Sequence, residues 1–115
     1  MKRLIVAITG ASGAVYGIRA LELLRDVADV ETHAIVTTAA HRTIAQETKY
    51  THDYVRDLAD EVHNPRDIAA AVSSGSFITA GMLVAPCSIK TLSGIAQSYN
   101  DSLVVRAADV CLKER

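Results

Sequence analysis

Residues 3–8, RLIVAI, run directly into ITGASGAVYG (8–17), after which Ala14, Ile18, Leu21 and Leu24 recur at helical spacing. A short run that is apolar on both faces suits a strand covered by helices on each side, as parallel strands are. A strand that turns through glycines into an amphipathic helix of about three turns is the opening of an α/β sheet. This one stretch constrains the fold more than any other part of the chain.

The rest of the chain continues the alternation. VETHAIVT (30–37) reads as a second strand, and a helix is expected near 39–48. Residues 49–65 are polar and weakly periodic, and Pro65 is expected to open a helical segment, RDIAAAV, that stops at SSGS (73–76). MLVA (82–85) reads as a third buried strand, ended by Pro86. Ile89, Leu92, Ile95, Ala96 and Tyr99 then form a helical stripe. A final stripe of Leu103, Val104, Ala107, Ala108 and Cys111 follows residues able to cap it, Asn100, Asp101 or Ser102. The expected architecture is α/β: an open parallel sheet, right-handed crossovers, helices on both faces, and one domain over residues 1–115. Three strands fall short of the roughly five of an ordinary open sheet, so the domain reads as incomplete.

Bulk properties exclude several classes of function. Net charge is −1, which offers no field for nucleic acid or anionic lipid. No apolar run approaches a membrane span, and LIVAI after Met1-Lys2-Arg3 is too short for a signal peptide. Cys87 and Cys111 suggest neither a disulfide framework nor a metal site, and read as buried small residues. His33, His41, His52 and His63 lack metal-ligand spacing and read as surface or packing residues. A reduced, cytoplasmic setting is the expectation.

The first strand-to-helix turn of such a sheet is where phosphates bind, because backbone N–H groups and the helix dipole converge there. The dinucleotide fingerprint G-x-G-x-x-G is not met, since Ser12 stands at its second glycine. In the alternative spacing G-x-x-G-x-x-G, Tyr16 stands at the last glycine. Thr37-Thr38 occupies the end of the second strand, where a dinucleotide binder carries an acid for the ribose. Hydroxyls suit a phosphate better than a diol, which points to a mononucleotide. The alternative is a tight turn with close helix packing and no ligand. APCSIKT repeats the arrangement after the third strand, with Ser88 at the N-cap and Lys90 and Thr91 in the first turn. An ordinary serine cap beside a solvated lysine is the plainer alternative there. Ser12, Thr37 and Ser88 fall at one edge of one sheet, and that favours a ligand.

TGASGAVYG, SSGSF, PCSIKTLSGIA and RAADVCLKER, in this order, resemble the flavin prenyltransferase (UbiX-like) family, which includes small subunits once named as aromatic or phenolic acid decarboxylases. The resemblance covers essentially the whole chain. It implies a flavodoxin-like or Rossmann-like fold that binds FMN. It also implies transfer of a dimethylallyl group from dimethylallyl phosphate to N5 and C6 of reduced FMN, with no metal. The product would serve a UbiD-type decarboxylase, for example in ubiquinone synthesis, and the enzyme would be a homo-oligomer. By the same resemblance Gly10, Ala11, Ser12 and Thr37 would contact FMN, with Ser12 near the reacting flavin. Ser88, Ile89, Lys90 and Thr91 would form the second flavin cradle. Ser74 and Gly75 would lie near the dimethylallyl phosphate, and Arg106 and Lys113 would face its phosphate. Glu47 matches an acidic residue that handles protons beside the flavin.

Glu47 follows Ala40 and Ile44 at spacings of 4 and 3, which puts its carboxylate on the apolar stripe near the end of a helix. That is an unfavourable place for negative charge, and it suggests a raised pKa and a chemical role. A boundary glutamate whose head reaches water is the plainer reading. The ten residues from Thr37 span about 15 Å of helix, which suggests a site completed by a neighbouring subunit. Arg106, Asp109 and Lys113 share a stripe, with an Asp109–Lys113 surface pair as the alternative to a phosphate role. The family continues past the KER motif with a further strand and helix, an arginine–glutamate pair, a tyrosine and a basic residue. The expectation is therefore a domain truncated at its C-terminal side, with flavin binding better represented than catalysis. A non-catalytic FMN-binding fragment is one alternative. An NAD(P)-dependent reductase is another, opposed by Tyr16 and by the missing acid.

Overall fold

The computed structural model describes residues 2–68, 70–74, 77–99 and 102–114. β1 (Lys2–Ile8), β2 (Val30–Val36), β3 (Glu61–His63) and β4 (Gly81–Val84) form one sheet in the order β3-β2-β1-β4. All three pairings are parallel, and the β1–β2 register runs from Lys2 opposite Val30 to Ile8 opposite Val36. The helices are α1 (Ala14–Arg25), α2 (Thr38–Glu47), α3 (His52–Leu58), α4 (Ile89–Gln97) and α5 (Leu103–Glu114). Alternate residues of β1 feed two cores, as the period of a strand requires. Val6 and Ile8 pack with Ile18 and Leu21 of α1, Ile44 of α2 and Val55 of α3. Ile5 and Ala7 pack on the other face with Val72, Leu103, Val104 and Ala107. The expected α/β sheet with helices on both faces is what the chain forms.

Two expectations need correction. The weakly periodic stretch contains a helix, α3, and a fourth strand, β3. Helix α3 buries only Val55 and Leu58, and β3 has three residues, so neither shows a readable period. Side chains fix their place: Asp60 accepts from the Thr32 N–H at 2.8 Å, and its own N–H donates to Thr32 Oγ1 at 3.1 Å. The helix expected after Pro65 is instead a series of turns ending in a 3₁₀ turn over Ala71–Ser73. Only Val72 and Ser73 of that turn are buried, and Ile68 is half exposed. Val72 and Ser73, with the Ser73 hydroxyl donating to the Ile68 and Ala70 carbonyls, hold this segment where a helical stripe was expected. Of the candidate caps before α5, Ser102 accepts from the Val105 N–H at 3.3 Å, while Asn100 and Asp101 lie outside the described residues.

Glycine is required at two points around α1. Gly13, at its N-cap, has φ +101°, and a Cβ on Gly17 would collide with the Ala85 carbonyl and the Ile8 side chain. Helix α4 lies against α5 and buries none of its residues; Ile89 is 86% exposed, and Leu92 and Tyr99 are also exposed. Its apolar stripe therefore faces outward. Cys87 and Cys111 are half-buried rather than buried, and unpaired. Among the described residues no helix is long and apolar enough to cross a membrane.

Candidate functional site

The chain runs from β1 out to β2 and β3, then returns to place β4 on the far side of β1. The two loops that leave β1 and β4 thus part at the C-terminal edge of the sheet, where open α/β sheets take their ligands. A cavity of about 730 Å³ opens there. Thr9 and Gly10 line it from the end of β1, and Thr37, Thr38 and Arg42 from the start of α2. Ser88, Lys90 and Thr91 line it from the start of α4, with Arg66 and the first turn of α5 closing it.

Two helix N-termini face this space, each capped by a hydroxyl. Thr37 Oγ1 accepts from the Ala40 N–H at 3.1 Å, and Ser88 Oγ accepts from the Thr91 N–H at 3.2 Å. Ser88 Oγ also lies 2.9 Å from Thr91 Oγ1. Thr9 joins the two loops: it is buried, donates to the Pro86 carbonyl and accepts from the Ser88 N–H at 2.8 Å. Hydroxyls, free helical N–H groups and three cations, Arg42, Arg66 and Lys90, form a donor set for a phosphate-bearing ligand. Among the described residues no cluster of histidine, cysteine, aspartate or glutamate is placed to hold a metal.

Of the residues singled out in the sequence, Gly10, Thr37, Ser88, Lys90 and Thr91 line the cavity. Ser12 and Glu47 meet on the outer side of the glycine loop instead. The Gly13 N–H donates to Glu47 Oε1 at 3.0 Å. That bond, then the Ser12 hydroxyl and least the Ala14 N–H, hold the Glu47 carboxyl below its ordinary value of 4.5, although desolvation opposes them. The shift is downward, not upward as its place on α2 suggested. Glu47 ends α2 but caps the start of α1, where Gly13 has no side-chain cap of its own and negative charge is favoured. It also reaches the loop of its own chain, so the span of α2 requires no neighbouring subunit for that contact. Ala11 and Ile89 do not line the cavity. Ser74 is exposed on the 3₁₀ segment, and Gly75 lies outside the described residues. Arg106 is exposed on α5. Lys113 pairs with Asp109 at 3.5 Å, eight residues beyond Val105, where α5 last lines the cavity, and so about 12 Å further along the helix.

Thr38, read with Thr37 as a hydroxyl pair suited to a phosphate, also lines the cavity. Thr9, Arg42 and Arg66 are lining residues that the sequence did not single out; Thr9 adjoins a readable feature, whereas the two arginines reach the cavity only through the packing of α2 and of the segment after Pro65.

A family model described as Flavoprotein matches residues 1–115. The chain is 61% identical over its whole length to the flavin prenyltransferase UbiX of Escherichia coli K12 and covers 61% of that protein. It is 54% identical to the flavin prenyltransferase UbiX of Neisseria meningitidis and covers 60% of it. The crystal structure of AnUbiX with FMN and dimethylallyl pyrophosphate superposes with a TM-score of 0.95 at 52% identity, over 98% of this chain and 60% of that one. A dodecameric FMN-dependent UbiX-like decarboxylase from Escherichia coli O157:H7 gives a TM-score of 0.95 at 54% identity, over 97% and 60%. The chain thus spans about three fifths of the length of these relatives. With a family model matched across residues 1–115, the chain belongs to the flavoprotein family.

Proposed function

We propose that residues 1–115 form the flavin-binding unit of a flavin prenyltransferase, which joins the dimethylallyl group of dimethylallyl phosphate to reduced FMN for use by a UbiD-type decarboxylase. One observation carries the reading: two hydroxyl-capped helix starts, at Thr37 and at Ser88, converge on one cavity. The cavity's volume falls in the range of small-molecule sites. Thr37, Thr38, Ser88 and Thr91 would bind the FMN phosphate, with Lys90, Arg42 and Arg66 supplying opposite charge. Gly10 would let the backbone approach the ligand, and Ala11 and Ile89 would flank it.

Bound reduced FMN would supply the electron-rich N5 and C6 positions that take the prenyl group. The chain's own part is positioning and electrostatics. Glu47 stays ionised at neutral pH, so beside Ser12 it would accept a proton rather than donate one. Ser74, Gly75, Arg106 and Lys113 would hold the prenyl phosphate. Arg106 and Lys113 do not line the cavity of this chain, and in a homo-oligomer they would serve a site shared between copies. The exposed Ile89, Leu92 and Tyr99 provide apolar surface for such an assembly. A cytoplasmic setting, in keeping with two unpaired cysteines, belongs to the same proposal.

That displacement of the cations from the cavity favours one second reading, a protein that holds FMN without modifying it. Anaerobic incubation with reduced FMN and dimethylallyl phosphate, followed by mass spectrometry of the extracted flavin, separates the two. A flavin heavier by one five-carbon unit supports transfer. Bound but unmodified FMN supports the second reading, and no retained flavin overturns both.

A further inference from the structure

Beside the flavin cavity, and separated from it by Thr38 and Pro65, lies a second cleft of about 410 Å³ between α2, α3 and the end of β3. Its polar lining is Arg56, His41, His52, His63, Asn64 and Thr38, with no carboxylate among the described residues. Nothing in the prenyl-transfer chemistry uses it.

These groups are donors in want of an acceptor. His41 and His52 meet edge to face with ring centroids 3.9 Å apart, yet the buried Nδ1 of His41 has no hydrogen-bond partner. A buried polar atom left in that state calls for an explanation such as a ligand. His63 is tied down on its inner side only. Its Nε2 lies 2.9 Å from Nδ1 of the buried His33, whose Nε2 lies 2.7 Å from Glu31 Oε1. In the tautomer in which Glu31 accepts from His33 Nε2–H, His33 Nδ1 accepts from His63 Nε2–H. Protonation of His63 then adds its new N–H at Nδ1, the nitrogen not used by His33.

We propose that this cleft is a binding site for a small oxyanion, held by the Arg56 guanidinium together with the imidazoles of His41, His52 and His63. An anion there would give the His41 ring an acceptor and offset the mutual repulsion of four cation-capable groups. The charges acting on His41 are His52 and Arg56 from α3; those acting on His63 are His33 from β2, Glu61 from its own strand and Asp67 from the following turn. Desolvation comes first for both His41 and His63 and pulls their pKa below the ordinary 6.5, so without an anion these two rings favour their neutral forms near neutral pH. Binding an anion favours their charged forms, and by linkage acid strengthens binding.

Sulfate is the probe, because it keeps its charge through the range in which histidine titrates. The imidazole resonances of the protein are followed by NMR during sulfate addition, with chloride holding ionic strength constant. The expected result is a rise in the apparent pKa of His41 and His63, and sulfate affinity higher at pH 5.5 than at pH 7.5 by up to about tenfold for each unit of that rise. Arg56→Gln and, separately, His52→Leu, both at exposed positions, should weaken sulfate binding at pH 5.5 several-fold, while Ser88→Ala in the flavin cavity should leave the histidine response intact. The proposal is overturned if sulfate leaves the three imidazoles unmoved, if Arg56→Gln binds as the parent does, or if Ser88→Ala abolishes the response. The last result would place the anion in the flavin cavity. None of these outcomes depends on flavin turnover.

Discussion

Thr9 offers a sharp test of how the two loops at the sheet edge are held. It is 1% exposed; its hydroxyl donates to the Pro86 carbonyl at 2.5 Å and accepts from the Ser88 N–H at 2.8 Å. Thr9→Val keeps the shape and removes the hydroxyl. The Pro86 carbonyl retains the Thr9 N–H at 3.2 Å, but the Ser88 N–H loses its acceptor. An unpaired, partly buried donor costs about 1–3 kcal/mol, and a lost additional bond about 1. The methyl gained in place of the hydroxyl returns up to about 0.8, so the net loss is about 2 kcal/mol. With about 2.1 cal/mol/K of unfolding entropy per residue, the chain as a whole has about 0.24 kcal/mol/K, and Tm should fall by about 8 °C. Thr9→Ser keeps both hydrogen bonds and loses one methyl, so its Tm should fall by about half as much, following a loss of about 1 kcal/mol. Thermal unfolding followed by circular dichroism ranks the three proteins. FMN affinity, read from flavin fluorescence, should weaken in Thr9→Val and hold in Thr9→Ser, because only the former frees Ser88. A valine variant as stable as the serine variant would refute the reasoning, since it would show that the methyl matters and the hydroxyl does not.

Gly17→Ala should destabilise the fold by about 2 kcal/mol, seen as a lower urea midpoint at unchanged m; the helical preference of alanine returns about 1, but the new Cβ meets the backbone carbonyl of Ala85 and Ile8 Cγ1, which cannot both give way. Glu47→Gln should lower Tm at pH 7. The lowered carboxyl pKa means that the stabilisation is present above the ordinary 4.5 and lost as pH falls through the folded-state value, so the gap between parent and variant should close in acid. A gap constant from pH 7 to pH 3 would count against an electrostatic cap on α1. His41 and His63 act with the same slope at higher pH. Both are depressed, so the unfolded chain binds more protons just below 6.5, and stability in chloride buffer should drop as pH is lowered through that value. Replacing both by glutamine should flatten Tm between pH 7.5 and 5.5; an unchanged slope would remove them as its source.

How much of this was legible in the sequence depends on where the information is stored. β1, β2, β4 and the starts of α2 and α4 could be read because each is signalled by adjacent residues: an apolar run, then Thr37 or Ser88 as a cap. Gly10, Lys90 and Thr91 could be read for the same reason. α3 and β3 could not, because two buried residues and a three-residue edge pairing carry too little pattern, and the Asp60–Thr32 bonds that seat them cross 28 positions of chain. Arg42 and Arg66 reach the cavity by packing alone. Glu47 is the instructive case. Its spacing after Ala40 and Ile44 predicted the apolar stripe of α2, but the residue is exposed and meets the glycine loop from its outer side. The electrostatic reading reversed, because the local sequence describes the helix that Glu47 ends and says nothing of the helix start it faces. α1 begins on Gly13 with no side chain to cap it, and α2 ends on a carboxylate with no dipole to favour it. Each feature is unfavourable in its own helix, and the fold removes both costs with one hydrogen bond. A charged residue that is poorly placed in its own element therefore invites a search for the element it serves before a shifted pKa is inferred.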